Sequence, residues 1–441
     1  MVQTITPTIV TVNTTVTKAS QPSQLQQSGA VVSTGGSTLA AGTDQYCGQL
    51  SDVTAILQPS LALESLAWAS GTVTATTSAS LGLTTGETFT VIISGAVPAG
   101  YNGTYRATVT GTDTFTYALA ASPGTETAPG QYSPPSAGFL VDAATTFFAQ
   151  GTQVGLFVLE LGPQASNTAA ITALGTWITA NLTPQQFYAY LVPGSWDVDE
   201  SVPLNALAAN YGSPTGQTYF FVTTTTTNIA AYAGNKAVIA TVPNPTAPVA
   251  EHQAAALFYQ WLVNNPGSAN PLAPMSYRFA FGVTPWAFKS NIPTLTTILS
   301  DFGNAIIPAS EGGISNAMMS RGTTMDGAQA AFWYGVDWFR INVKQALAAG
   351  IINGSNQNPP LLYDQNGINS LQAIAEQIGN SAVAFGCASA VTVTAVPFTT
   401  YTTQNPNDYA AGIYNGLSAT LNGQSAFLSV TFNLDATQFA S

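Results

Sequence analysis

The sharpest alternation of apolar and polar positions lies near the end of the chain. In FLSVTFNLDATQF, positions 427–439, Leu428, Val430, Phe432 and Leu434 alternate with Ser429, Thr431, Asn433 and Asp435. A period of two predicts a strand with one buried face. The stretch TIVTVNTTVT near the start does the same, with Val10, Val12 and Val16 on one side and Thr11, Asn13, Thr15 and Thr17 on the other. Two such terminal strands either pair with each other inside one molecule or complete the sheet of a neighbour.

Between the ends the pattern changes twice. From about 69 to 136 short alternating runs follow one another, around Val73, Phe89, Tyr105 and Phe115, with Gly, Pro and Asn turns between them. Strands at this spacing predict a small all-β module, and the Pro-rich exit APGQYSPPS marks it as an insertion. From 138 to about 310, the continuous apolar runs VGLFVLEL, FYAYLVP, TYFFVTT, AVIATVP and YRFAFGV alternate with helical patterns such as NTAAITALGTWITANL and EHQAAALFYQWLVNN. Fully apolar strands alternating with helices predict a mostly parallel sheet covered on both faces.

The strongest helical pattern runs from 326 to 349. Phe332, Val336, Phe339, Val343 and Leu347 form its apolar stripe, Asp326 is its expected N-cap and Gly350 its expected stop. A turn at YDQNG leads to a second helix around INSLQAIAEQIG, and AVTVTAVPF with the final strand makes a β-rich end. The predicted fold class is thus α/β and multidomain.

Composition sharpens this picture. Only 6% of the residues are charged, against about 25% in ordinary globular chains. A surface of Thr, Ser, Asn, Gln and Ala loses little on desolvation against another copy of itself, which suits an assembly protein. The net charge of −12 excludes a phosphate-neutralising stripe, so no nucleic-acid partner is expected. Cys47 and Cys387 fit no metal spacing and read as buried thiols. No apolar run approaches the roughly 18 residues of a membrane helix. No basic segment precedes an apolar core at the N-terminus, so neither membrane nor signal peptide is expected.

Candidate chemistry is sparse. His252, the one histidine, follows Glu251 at the start of a helical pattern and reads as an exposed first-turn residue. Asp197, Asp199 and Glu200 form the densest acidic cluster, but lack the glycine and distal glutamate of a calcium loop, so a solvated loop is the better reading. GGSTLAAGT has no Gly-Lys-Ser/Thr and is no phosphate loop. Arg106 lies among Tyr101, Tyr105, Phe115 and Tyr117, which read as the core of the β module rather than a sugar site. Arg340 and Lys344, four apart, share one helix face. No catalytic, cofactor or metal residue emerges, and no enzyme is expected.

Three stretches resemble the tail sheath proteins of contractile-tailed bacteriophages. They are SQPSQLQQSGAVVSTG, TTMDGAQAAFWYGVDWF and LLYDQNGINSLQAIAEQIG, in that order. The resemblance covers residues 1–66 and 138–441, while the insert resembles a small β module of phage tail proteins. It implies an N-terminal extended arm (1–18), a first part of the sheath core (19–68), the inserted β domain (69–136), an outer α/β domain (137–325), an inner domain (326–426) and a C-terminal strand arm (427–441). The inner domain would be built from both chain ends. The implied partners are neighbouring sheath subunits in stacked rings, the tail tube, and baseplate and tail terminator proteins, in a virion assembled in the host cytoplasm. In such a sheath Val10, Val12, Val16, Leu428, Val430, Phe432 and Leu434 would pair between subunits, and Arg340 and Lys344 would face the tube. An arm of 18 extended residues reaches on the order of 60 Å, enough to cross to a neighbour.

Two rivals stand beside this reading. A carbohydrate-binding or carbohydrate-degrading adhesin would need a carboxylate pair across a cleft, and the sequence identifies none. A tail tube protein would be mostly β-barrel, which the long α/β section disfavours.

Overall fold

The computed structural model describes residues 25–198, 201–309 and 316–428. Its organising element is a six-stranded sheet. The chain enters it with β1 (Gly29–Ser33) and β2 (Thr43–Cys47), then leaves for a barrel made of β3 (Leu61–Ala69), β4 (Thr72–Thr77), β5 (Thr88–Ser94), β6 (Gly103–Gly111), β7 (Thr114–Ala118) and β8 (Gln131–Tyr132). It returns with β9 (Leu156–Glu160), β10 (Ala189–Leu191), β11 (Tyr219–Thr223) and β12 (Val238–Thr241). The sheet order is β12-β11-β10-β1-β9-β2, and β1 pairs in parallel with both neighbours, so that Val31 lies between Leu191 and Val158. Only β2, at the edge, runs antiparallel.

Both faces of this sheet are covered. Val31, Val158, Leu191 and Phe221 pack against the helices Pro135–Phe148 and Gln253–Leu262. Val32, Leu159, Tyr190 and Phe220 pack against Asn167–Ala180, Ser201–Ala209 and Phe288–Ser300. Burial on both faces explains why these strands read as unbroken apolar runs. Residues 29–47 supply the central strand and one edge of the parallel sheet. One expectation is corrected. YRFAFGV is not in that sheet; Tyr277 and Ala280 instead hydrogen-bond to Met319 and Ala317, beside the short hairpin of β13 (Ile306–Pro308) and β14 (Ala317–Met319).

The insert is a closed barrel in the order β3-β4-β7-β6-β5-β8. Its first strand begins at Leu61, not near 69, because Leu63 and Leu66 point into the barrel and are buried there. Tyr101, Phe115 and Tyr117 fill the same core, Tyr105 stacks on Tyr117 at 4.3 Å, and Arg106 stays exposed outside. The barrel docks on the helix Pro135–Phe148, where a Cβ on Gly138 would lie 2.9 Å from the Thr90 carbonyl oxygen.

The remaining chain forms a helical hairpin, Ala330–Gly354 and Gln365–Ala384, followed by β15 (Ala390–Ala395) and β16 (Leu417–Asn422). Asp364 caps the second helix, accepting from the Gly367 amide at 2.8 Å. The first helix starts at Ala330 and runs through Gly350. Asp326 is no N-cap: its carboxylate accepts from the Thr324 hydroxyl, the Ala328 amide and the Trp333 indole in the preceding turn. The most deeply buried side chains of that helix are Ala330, Tyr334, Asp337 and Trp338, with Phe339, rather than the stripe through Phe332 and Val336. A Cβ on Gly335 would sit 2.3 Å from the Cys387 carbonyl oxygen, so this helix approaches the 387 segment through a bare backbone. Cys47 and Cys387 are both buried and do not bridge. Among the described residues, no helix is long and apolar enough to cross a membrane.

Candidate functional site

β15 and β16 form a two-stranded antiparallel sheet near the end of the described chain. Its register runs from Ala390 opposite Asn422 to Ala395 opposite Leu417. One face rests on the helix Gln365–Ala384, with Val393 buried and Val391 against Gly379. No further strand pairs with it among the described residues. A two-stranded sheet is marginal in water, and each unpaired edge offers backbone groups to another strand.

Both chain ends leave the described fold beside the start of the helix Ala330–Gly354. At the N-terminal side, the Gln26 amide donates to the Tyr334 carbonyl at 3.0 Å and to the Tyr188 hydroxyl at 3.4 Å. At the C-terminal side, the Ala426 amide donates to the Gln329 side chain at 2.8 Å, and that side chain donates back to the Ala426 carbonyl at 3.3 Å. The Tyr277 hydroxyl then donates to the Leu428 carbonyl. Of the expected arm residues, Leu428 is described and partly exposed. Val10, Val12, Val16, Val430, Phe432 and Leu434 lie outside the described residues.

Between these exits sits a buried polar junction that joins the helix to the end of the parallel sheet. Asp337 is fully buried and accepts from the hydroxyls of Tyr188 at 2.9 Å and Tyr219 at 2.7 Å. Its other oxygen faces the Arg340 guanidinium at 3.4 Å. Lys236 lies over the rings of Tyr219 and Trp333, at 5.4 and 4.4 Å, and donates to the Gly216 carbonyl at 2.6 Å. Burial pushes the Asp337 carboxyl above its usual range, opposed by Lys236, the two tyrosines and Arg340. Burial pushes Lys236 down. Trp261 stacks on Tyr188 at 5.6 Å and closes the cluster. Sequence reasoning missed Asp337; a single aspartate within AFWYGVDWF was the available sign, because aromatics on both sides leave little surface.

Arg340 and Lys344 are treated differently by the fold. Arg340 donates to the Thr215 carbonyl at 2.8 Å and the Pro214 carbonyl at 3.4 Å, while Lys344 is exposed. Asp197 is not in a solvated loop but buried, accepting from Thr224, Tyr232 and Asn228. Asp199 and Glu200 lie outside the described residues. His252 is not an exposed first-turn residue: it precedes its helix, packs edge-on to Phe139 at 5.1 Å, and burial pushes it down to about 4. GGSTLAAGT follows β1 as a turn around Glu160. That carboxylate accepts from Ser33, Gly35, both donors of Ser37, and Gly162. No group of three His, Cys, Asp or Glu side chains among the described residues is placed to hold a metal ion.

No family model matches the chain, and no curated protein matches it. Solved structures do. A chain of the anti-feeding prophage baseplate, 6-fold symmetrised, superposes with a TM-score of 0.57 at 13% identity, covering 99% of this chain and 100% of its own. The anti-feeding prophage helical sheath in the contracted state gives 0.52 at 14% identity, covering 99% of each chain. This chain has a sheath-protein fold. A sheath tail protein from Listeria innocua also matches, with a TM-score of 0.43 at 10% identity over 85% of this chain and 89% of its own.

Proposed function

We propose that the chain is a structural subunit of a contractile tail sheath, which polymerises as a helical tube around a tail tube. The observation that carries this reading is the shared fold with a contracted helical sheath over nearly the full length of both chains. The open β15–β16 pair supports the mode of assembly. Residues 1–18 and 427–441 of neighbouring subunits add to its edges, and the described chain leaves the fold beside one helix on both sides, so each subunit would give and receive strands at one place. Repeated contacts between different surfaces do not close and generate a helix. Contraction is then a change between two packings in which the strand connections persist. Baseplate and terminator proteins would bound the tube in a virion assembled in the host cytoplasm. Electron microscopy of the purified protein tests the reading: tubes or rings with a wide lumen are expected, and dispersed monomers at high concentration contradict it.

The barrel is dispensable for assembly in this scheme. Among the described residues its six strands pair only with one another, and the parallel sheet forms without them. Replacing residues 61–132 with a short Gly/Ser linker is expected to leave a folded subunit that still forms tubes, since loop closure changes slowly with length. A cut at residue 70 would instead strand β3. Insolubility of the 61–132 replacement would show that the barrel is needed for the main core.

The tube-facing role falls on Lys344 more than on Arg340. Lys344→Glu should change stability by no more than about 0.5 kcal/mol, as exposed substitutions do, while weakening assembly around the tube at low salt. Arg340→Glu adds a carboxylate beside Asp337 and removes the bonds to Pro214 and Thr215, so it should lower stability as well. Tube-dependent assembly of Lys344→Glu equal to wild type at low salt would remove this assignment.

A further inference from the structure

The parallel sheet has a topological switch point that the assembly scheme does not use. From β1 the chain goes on to β2 at the far edge beyond β9, and from β10 to β11 on the other side, so these adjacent strands send their connections in opposite directions. In such sheets a crevice opens beyond the carboxyl ends of the two strands, and ligands bind there. Here the crevice is a cleft of about 380 Å³, floored by Val32 in β1, Thr34 just after it and Pro193–Ser195 after β10, and roofed by the barrel. That volume falls in the range of small-molecule sites.

The charge around the cleft selects against ions of either sign. The carboxylates of Glu87, Asp142, Asp197 and Glu251 line it, with the Arg106 guanidinium and the His252 imidazole. The carboxylates oppose an anion. Three helix N-termini also open on the cleft, at Ser136, Asn167 and His252, and with Arg106 they oppose a cation. Two of the carboxylates are committed elsewhere: Asp197 to Thr224, Asn228 and Tyr232, and Glu251 to Thr284 and Gln253. Asp142 bonds to Thr90 on the barrel but has no ion partner among the described residues. Phe139 and Asp142 are three apart on one helix and so share a face. Phe139 is half-buried beside them, and Arg106 stands on the opposite, barrel wall with a 3.4 Å bond to the Thr88 hydroxyl.

We propose that this cleft binds an uncharged saccharide unit, with Phe139 beneath its C–H face, Asp142 accepting from its hydroxyls and Arg106 donating to them. An apolar platform flanked by one strong acceptor and one strong donor is what a neutral ring bearing hydroxyls requires. The site stands apart from the assembly reading and survives if that reading fails. Burial raises the Asp142 carboxyl to about 6, so its ionised, accepting form is lost as pH falls through that value. His252, held at about 4, stays neutral across the same interval.

The test is saturation-transfer NMR and calorimetry on the full chain at about pH 7.5, where Asp142 is ionised. The probes are methyl glucoside, maltose and diacetylchitobiose, with inorganic phosphate and putrescine as charged controls. At least one saccharide is expected to bind, and to bind at least about tenfold more weakly to Asp142→Asn, the loss of one charge-assisted bond. Arg106→Gln, on the exposed barrel wall, should also weaken it without affecting the fold. The proposal is overturned if no saccharide binds, if phosphate or putrescine binds in preference, or if both variants bind as wild type does.

Discussion

Subunits lacking residues 429–441 are expected to stay folded and soluble but to form no tubes or rings, and removal of residues 2–17 should do the same. The parallel sheet, the barrel and the helical hairpin all lie within the described residues, so neither deletion touches their cores. In the proposed assembly, what would be lost is the partner for β15 and β16. Each cross-strand pair contributes roughly 0.2–1 kcal/mol, and an arm with four apolar positions on one face adds several such pairs plus backbone bonds. Multiplied over a tube, that separates assembly from none. Phe432→Asp is the milder form: a charge on the apolar face of the arm should block polymerisation and leave the melting of the sheet domain unchanged. Size-exclusion chromatography and electron microscopy read both outcomes. Tubes from either truncated chain would remove the arms from the mechanism.

Asp337→Ala is expected to lower stability by about 3–5 kcal/mol, the usual result of leaving buried charge without its partner. Lys236 and Arg340 would lose their shared counter-charge, and the hydroxyls of Tyr188 and Tyr219 their acceptor. Tyr219→Phe removes one bond to the carboxylate and should cost about 1.5–3 kcal/mol. The two losses should not add, because both residues belong to one network. Denaturant titration with separate probes for the sheet domain and the helical hairpin checks this. The hairpin should melt first in Asp337→Ala, since the junction ties it to the sheet. A loss below about 1 kcal/mol, the range of exposed pairs, would mean that the cluster is solvated.

The sequence was most readable where burial is simplest. VGLFVLEL, TYFFVTT and AVIATVP are apolar throughout because both sheet faces are covered, and each holds a strand of the parallel sheet. The resemblance drawn from three short motifs is matched by the fold. Other elements were hidden for physical reasons. GAVVS is the central strand, yet its five residues, flanked by Ser28 and Thr34, carry too little apolar area to stand out. LALESLAWA reads as helix or strand, and only barrel closure decides it. The long helix turns an aspartate and a tyrosine inward, so its polar-looking positions are the buried ones. The cleft between β1, β10 and the barrel was invisible, because its walls come from residues more than 100 positions apart.

The chain trace of an assembled tube by electron cryomicroscopy tests most directly whether the terminal segments act between molecules. Residues 1–18 of one subunit and 427–441 of another are expected to lie against the β15 and β16 edges of a third, with the sheet enlarged beyond two strands. A trace in which both segments pair only within their own subunit would contradict it.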